Sequence, residues 1–221
     1  MGRHKLVLPW RGDGRTIIAD VVGRARAAVS HVVVVTGHHA NATAEALRGH
    51  DVQIVHNAAY AAGEMISSAK VGVAALPPTC QAFLLVLGDQ PGIAASTFAR
   101  LIDAWRENPA ARIISPTWNN RRGHPVLFSA AGIGEILALP ADATLKTYVA
   151  RHARESIEVE VDDPAVCADV DTPEEYVRRI NADVGARLVS PAVAEAEGDA
   201  GVAPTRSQSC PTEATVAAAA D

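Results

Sequence analysis

Three aspartates, one lysine and a basic turn are the side chains whose types and spacing could do chemistry in this chain. Asp89 follows the apolar run AFLLVL at residues 82–87, behind Gly88 and ahead of Gln90-Pro91. In open α/β sheets ligands bind at the carboxyl ends of strands, and a carboxylate held there can keep a metal over a phosphate. A plain strand-ending turn is the competing reading of the same four residues. Asp169 and Asp171 stand just before a helix start, and only one of them is expected to point at a given metal; helix capping is the alternative. Arg121-Arg122-Gly123-His124-Pro125-Val126 puts two cations and an imidazole at a strand entrance. They could hold an anionic substrate or simply form a solvated turn. Lys5 lies in a short basic stretch with Arg3 and His4, and by itself it reads as an exposed terminal side chain.

These residues need a scaffold, and the chain's periodicities supply one. Residues 32–36 (VVVVT), 52–55, 82–87 and 112–115 are short apolar runs, suited to strands covered on both faces. Residues 157–161 (IEVEV) alternate, as an edge strand would. Between them lie helical stripes: Ile17, Ile18, Val21, Val22 and Ala25; Met65, Ala69, Val73 and Leu76; Phe98, Leu101, Ile102 and Trp105. Thr172-Pro173-Glu174-Glu175 starts a further helix, with Thr172 as N-cap, Pro173 at the first position and Glu175 closing a capping box. Alternating strands and helices predict an α/β fold with a mostly parallel sheet.

The 221 residues, 48% hydrophobic, suffice for one domain with a real core. A net charge of −5 argues against a nucleic-acid surface. Three widely spaced cysteines and no CxxC argue against a disulfide framework or zinc site and suit reduced thiols in the cytoplasm. No apolar run is long enough to span a membrane. The domain is expected over 1–184. Beyond it, residues 185–221, rich in Ala, Pro and Glu, lack the apolar surface to order themselves and are expected to be disordered.

Taken in order, the segments resemble the nucleotidyltransferases of the molybdenum-cofactor type. Residues 1–10 (MGRHKLVLPW) are similar to the second half of the family signature, and Asn57, Tyr60, Gly63, Met65, Ser67 and Ser68 to its Asn-Tyr-Gly-Met-Ser segment. Leu87-Gly88-Asp89-Gln90-Pro91, Arg122 to Phe128, Asp142-Ala143-Thr144-Leu145 and Asp169-Val170-Asp171-Thr172-Pro173-Glu174 follow in family order. Gly-Asp-Gln-Pro and the Asp-x-Asp-Thr-Pro ending point to the cytidylyltransferase branch. The resemblance implies a three-layer Rossmann-like sheet of the nucleotide-diphospho-sugar transferase type. It also implies that the family's first strand and glycine-rich loop are absent ahead of Met1, which would leave a central slot unpaired.

The activity so implied is Mg2+-dependent transfer of CMP from CTP, or of another nucleotide, to a phosphorylated acceptor such as molybdopterin. Lys5 and Arg3 would hold the NTP phosphates. Asp89, with Asp171 or Asp169, would hold Mg2+, and Gly63 and Ser67 would line the nucleotide. Gly123, His124 and Asp142 would lie toward the acceptor. A molybdenum hydroxylase or its chaperone is the implied protein partner. A sugar-phosphate acceptor, and a non-catalytic member that only binds nucleotide or a partner, are the rival readings.

Overall fold

The computed structural model describes residues 4–10, 12–61, 65–189 and 212–218. The strands are β1 (His31–Thr36), β2 (Gln53–His56), β3 (Cys80–Leu87), β4 (Ile113–Trp118), β5 (Arg121–Arg122), β6 (Val126–Ser129), β7 (Ser156–Glu160) and β8 (Thr212–Ala218). They form one sheet in the order β2-β1-β8-β3-β6-β4-β5, with β7 also paired to β4. β2, β1, β8 and β3 run parallel, and β7 runs parallel to β4. β6 is antiparallel to both β3 and β4. The chain turns between β4 and β5 at Asn119 and Asn120, both at positive φ (50° and 60°), the conformation of a tight two-residue hairpin.

Helices α1 (Ile17–Ala28), α2 (Ala40–Ala46), α3 (Met65–Ala74), α4 (Ala95–Glu107), α5 (Ile133–Ala138), α6 (Leu145–Arg151) and α7 (Pro173–Val189) cover the sheet. Alternation along the strands divides the core in two. Val32, Val34, Leu84 and Val86 pack with Ile18, Val22, Phe98 and Leu101 of α1 and α4. Val33, Val35, Phe83 and Leu85 pack with Ile66, Val73, Ile136 and Tyr148 of α3, α5 and α6. Both faces of β1 and β3 are therefore buried, which is why their sequences are continuous apolar runs. The expected three-layer α/β arrangement with a mostly parallel sheet holds. No helix among the described residues is long and apolar enough to cross a membrane.

The tail departs from expectation. α7 continues past residue 184 to Val189, and 212–218 lies as β8 between β1 and β3. Its register runs His31↔Ala214 to Val35↔Ala218 on one side and Cys80↔Thr212 to Leu87↔Ala218 on the other. The slot expected to stand unpaired is filled, and the disorder expected for 185–221 does not extend to these seven residues. The composition rule behind that expectation counts side-chain burial. A strand inserted between two others is held first by backbone pairing, which alanine supplies as well as valine does.

Candidate active site

The carboxyl edge of the sheet gathers the site. β3 ends at Leu87, the chain turns through Gly88, and Asp89 is buried in that turn. Residues 5–7 form a single 3₁₀ turn, anchored by the fully buried Leu6, which turns Lys5 toward Asp89. Lys5 Nζ donates to Asp89 Oδ2 at 2.7 Å and to Asp171 Oδ1 at 2.9 Å. Asp171 stands before α7, where Glu175 accepts from the Asp171 and Thr172 amides and donates its own amide to Thr172 Oγ1. The expected capping box thus fixes the Asp171 backbone. The two acidic loops are joined directly, Val170 N donating to Asp89 O at 3.1 Å.

The charges are mutually supporting. Burial pulls the Lys5 ammonium down, but its bonds to Asp89 and Asp171 outweigh this and hold it above its ordinary value. Asp171 is held below the usual carboxylate range, first by Lys5 and to a smaller degree by the neighbouring Asp169 side chain. Alternate residues of an extended segment share a face, which lets the Asp169 carboxylate act on Asp171. Asp169 is exposed at the rim, and Asp171 is the member of the pair that meets Lys5.

Among the described residues, Asp89 Oδ1 is buried without a hydrogen-bond partner, while Oδ2 is taken by Lys5. A buried, unpartnered carboxylate oxygen is costly unless a cation or donor completes it. Asp89 and Asp171 therefore suit a divalent cation that draws its remaining ligands from water and phosphate, as Mg2+ does. Among the described residues no cluster of three or more His, Cys, Asp or Glu side chains could cage a metal by itself.

The structure also holds a cavity of about 640 Å³, lined chiefly from α3, residues 122–128 and α6. Ile66, Leu85, Val126, Phe128 and Val149 make its walls apolar, and Arg122 and Lys146 bring cations to it. His124 lines it too, and burial holds its imidazole below the ordinary value, hence neutral at pH 7; the Asp89 charge opposes this weakly. Its Nδ1 lies 3.5 Å from Leu85 O, which favours the Nδ1–H tautomer and leaves Nε2 as an acceptor. Gly123 belongs here for a second reason. A Cβ on it would stand 2.1 Å from Val166 O, so only glycine lets the two segments pass.

Of the other residues singled out in the sequence, Ser67 accepts from Asn57 Nδ2 at 2.9 Å. Buried Asn57 also bonds Ser68, and its amide donates to Thr36 O, so this motif ties α3 to the end of β1. Asp142 is exposed in the turn before α6; the cavity wall is instead made by Thr144, Leu145 and Lys146. Arg3 and Gly63 lie outside the described residues. Lys146 carried no signal in the sequence, because one lysine in a helical stretch looks like any solvated cation.

The sequence profile of the MobA-like NTP transferase domain matches residues 1–159. Among solved structures, Rv0371c from Mycobacterium tuberculosis H37Rv is 31% identical, with 82% of this chain and 91% of that one covered and a TM-score of 0.67. Its complex with manganese matches equally, at 31% identity over 81% and 93% with a TM-score of 0.65. A nucleotidyl transferase from Methanothermobacter thermautotroptrophicus, Mth528, is 25% identical over 83% and 87%, with a TM-score of 0.69. No curated protein matches the chain in sequence.

Proposed function

The chain belongs to the family of MobA-like NTP transferases, and from that premise we propose that it transfers CMP from CTP to the phosphate of a molybdopterin-type acceptor and releases pyrophosphate. The observation that carries this reading is the meeting of Lys5, Asp89 and Asp171 at the carboxyl edge of the sheet; a separate apolar cavity that Arg122 and Lys146 line offers room for an acceptor. Such a transfer asks little covalent help of a protein. It needs the acceptor phosphate and the α-phosphorus held in line, and charge neutralised around them.

On this reading Asp89 and Asp171 hold Mg2+, with Asp169 beside them. Manganese, found in the mycobacterial relative's complex, has the same preference for oxygen ligands. The bound cation would polarise the α-phosphate oxygens and steady the departing pyrophosphate. Lys5, freed from the carboxylates, turns its ammonium to the triphosphate, alongside Arg3. Gly63 and Ser67 lie against the nucleotide. Arg122 and Lys146 draw in the acceptor's phosphate, and the apolar walls take its flat ring. Such walls suit a pterin better than a polyhydroxylated sugar, whose hydroxyls would lose water without gaining partners. Gly123, His124 and Asp142 stand on this acceptor side, and His124 Nε2 accepts a ring N–H. A molybdenum hydroxylase or its chaperone would receive the product.

The test is pyrophosphate release by the purified chain with CTP, GTP or ATP, Mg2+, and either molybdopterin or a sugar 1-phosphate. CTP with the pterin should be the productive pair, and Asp89→Asn should lower its rate on the order of a hundredfold or more. Equal rates with the sugar phosphate, or full activity in Asp89→Asn, would overturn the reading.

A further inference from the structure

Arg179 touches nothing in the cavity, yet it is the side chain on which three segments of the site converge. It projects from the second turn of α7 and is half-buried. Nη1 donates to Ala168 O at 2.9 Å and to Asp169 O at 3.3 Å, and Nη2 donates to Pro91 O at 3.0 Å. The guanidinium also lies over the Trp10 ring, 5.3 Å from its centroid. One cation therefore spans the loop that carries Asp89, the loop that carries Asp169 and Asp171, and the end of the segment that carries Lys5. The neighbouring turn of α7 adds Tyr176, whose hydroxyl donates to Pro9 O.

We propose that Arg179 is a positioning residue for metal binding: its fork fixes the spacing between the Asp89 loop and the Asp169–Asp171 loop, so that two carboxylates meet one cation. The inference rests on the reading of Asp89 and Asp171 as the metal pair. Both loops carry negative charge, and their carbonyl dipoles point at the same place. Without Arg179, the flexible Lys5 side chain and the Val170 amide to Asp89 carbonyl bond are left to set their spacing. Arginine meets the requirement because its planar fork reaches several acceptors at once while its face stacks on an aromatic ring. Lysine, a point charge on a flexible stem, cannot bridge both loops in a fixed geometry.

The probe is Mn2+ alone, titrated into the full chain and followed by the electron paramagnetic resonance of the free ion, with no nucleotide or turnover involved. Arg179→Lys and Arg179→Ala should weaken Mn2+ binding on the order of 10–100-fold, the usual effect of removing support behind metal ligands. Millimolar guanidinium should restore much of the affinity of Arg179→Ala and none of that of Asp89→Asn. Arg24→Ala is the structural control: Arg24 braces the same loop from the other side, through Ile93 O at 2.8 Å and Asp20 at 2.8 Å, without touching 168–171. It should leave Mn2+ affinity within about twofold, a change too small to move binding by 1 kcal/mol. If Arg179→Ala does not fold, Arg179→Lys carries the test by itself. Unchanged Mn2+ affinity in the Arg179 variants, while Asp89→Asn binds weakly, overturns the proposal and leaves the metal reading standing. An equal loss in Arg24→Ala also overturns it. Unchanged affinity in Asp89→Asn defeats the metal reading, and this inference with it.

Discussion

Ending the chain before Thr212 removes β8 and should unfold the domain, not merely loosen it. In the intact sheet β8 faces five residues of β1, from His31 to Val35, and spans Cys80 to Leu87 of β3. Alternate residues of a parallel strand direct both their N–H and C=O groups to one neighbour, so roughly ten backbone groups of β1 and β3 lose their partners. Their surroundings are apolar on both faces, since Val32 to Val35 and Phe83 to Val86 are all buried. Taking the low end, about 1 kcal/mol for each group because water can enter the slot, the loss is about 10 kcal/mol. A domain of this size has about 5–15 kcal/mol in all. The assay is a thermal melt followed by circular dichroism, together with hydrogen exchange at the Val33 and Leu84 amides. Val216→Pro is a gentler version, since Val216 pairs with Val33 and Leu85 and proline removes a donor from a central strand. A synthetic peptide of residues 210–221 added to the shortened chain should restore part of the melt. A melting temperature within a few degrees of the full chain, in both variants, would refute the reasoning.

Lys5→Met should return the Asp171 carboxyl toward its ordinary range, read by carboxyl NMR, and should lower turnover at least a hundredfold. His152 is almost buried and sits between two carboxylates, Nδ1 on Glu155 at 2.9 Å and Nε2 on Glu135 at 2.8 Å, which raise it above 6.5 and are themselves lowered below 4.5. A raised histidine gives stability that is complete below 6.5 and lost as pH climbs through its folded value, and lowered carboxylates give stability lost as pH falls through theirs. The intact chain should therefore lose melting temperature from pH 6 to pH 9 by an amount that His152→Gln removes. His124 has the opposite sign, being held neutral, so it should cost stability below pH 6.5, and His124→Gln should flatten that acid limb. Gly123→Ala must push Val166 and its carbonyl aside, so it should cost on the order of 1–3 kcal/mol in denaturant melts and weaken acceptor binding before it affects CTP.

The strands covered on both faces announced themselves in the sequence. The runs at 32–36 and 82–87 are β1 and β3 to within a residue or two, because a strand packed on both sides has no polar positions to interrupt it. The stripe Phe98, Leu101, Ile102 and Trp105 is buried throughout. Elements held by distant partners were not legible. α4 has Ala94 as its N-cap, which offers no capping side chain; Asp163 braces this end from afar, accepting from Ala94 N at 2.8 Å and Thr97 Oγ1 at 2.7 Å. β8 (TEATVAA) is mostly Ala and Thr with no apolar run, and its pairing lies in the backbone, so its sequence advertises nothing. At the site, Asp89 and Asp171 stood in readable motifs and Lys5 gained meaning from the resemblance. Arg179 looked like one solvated charge among several on α7, because what it does depends on carbonyl groups that every residue possesses.

The register of β8 has a practical consequence. Ala218 is level with Leu87, one residue before the Gly88-Asp89 turn. An affinity tag or fused protein joined directly after Ala218 would begin beside the Gly88-Asp89 turn and crowd out whatever enters there. A small environment-sensitive dye placed there becomes an optical sensor instead, brightening or dimming as ligand arrives and needing no turnover to report it.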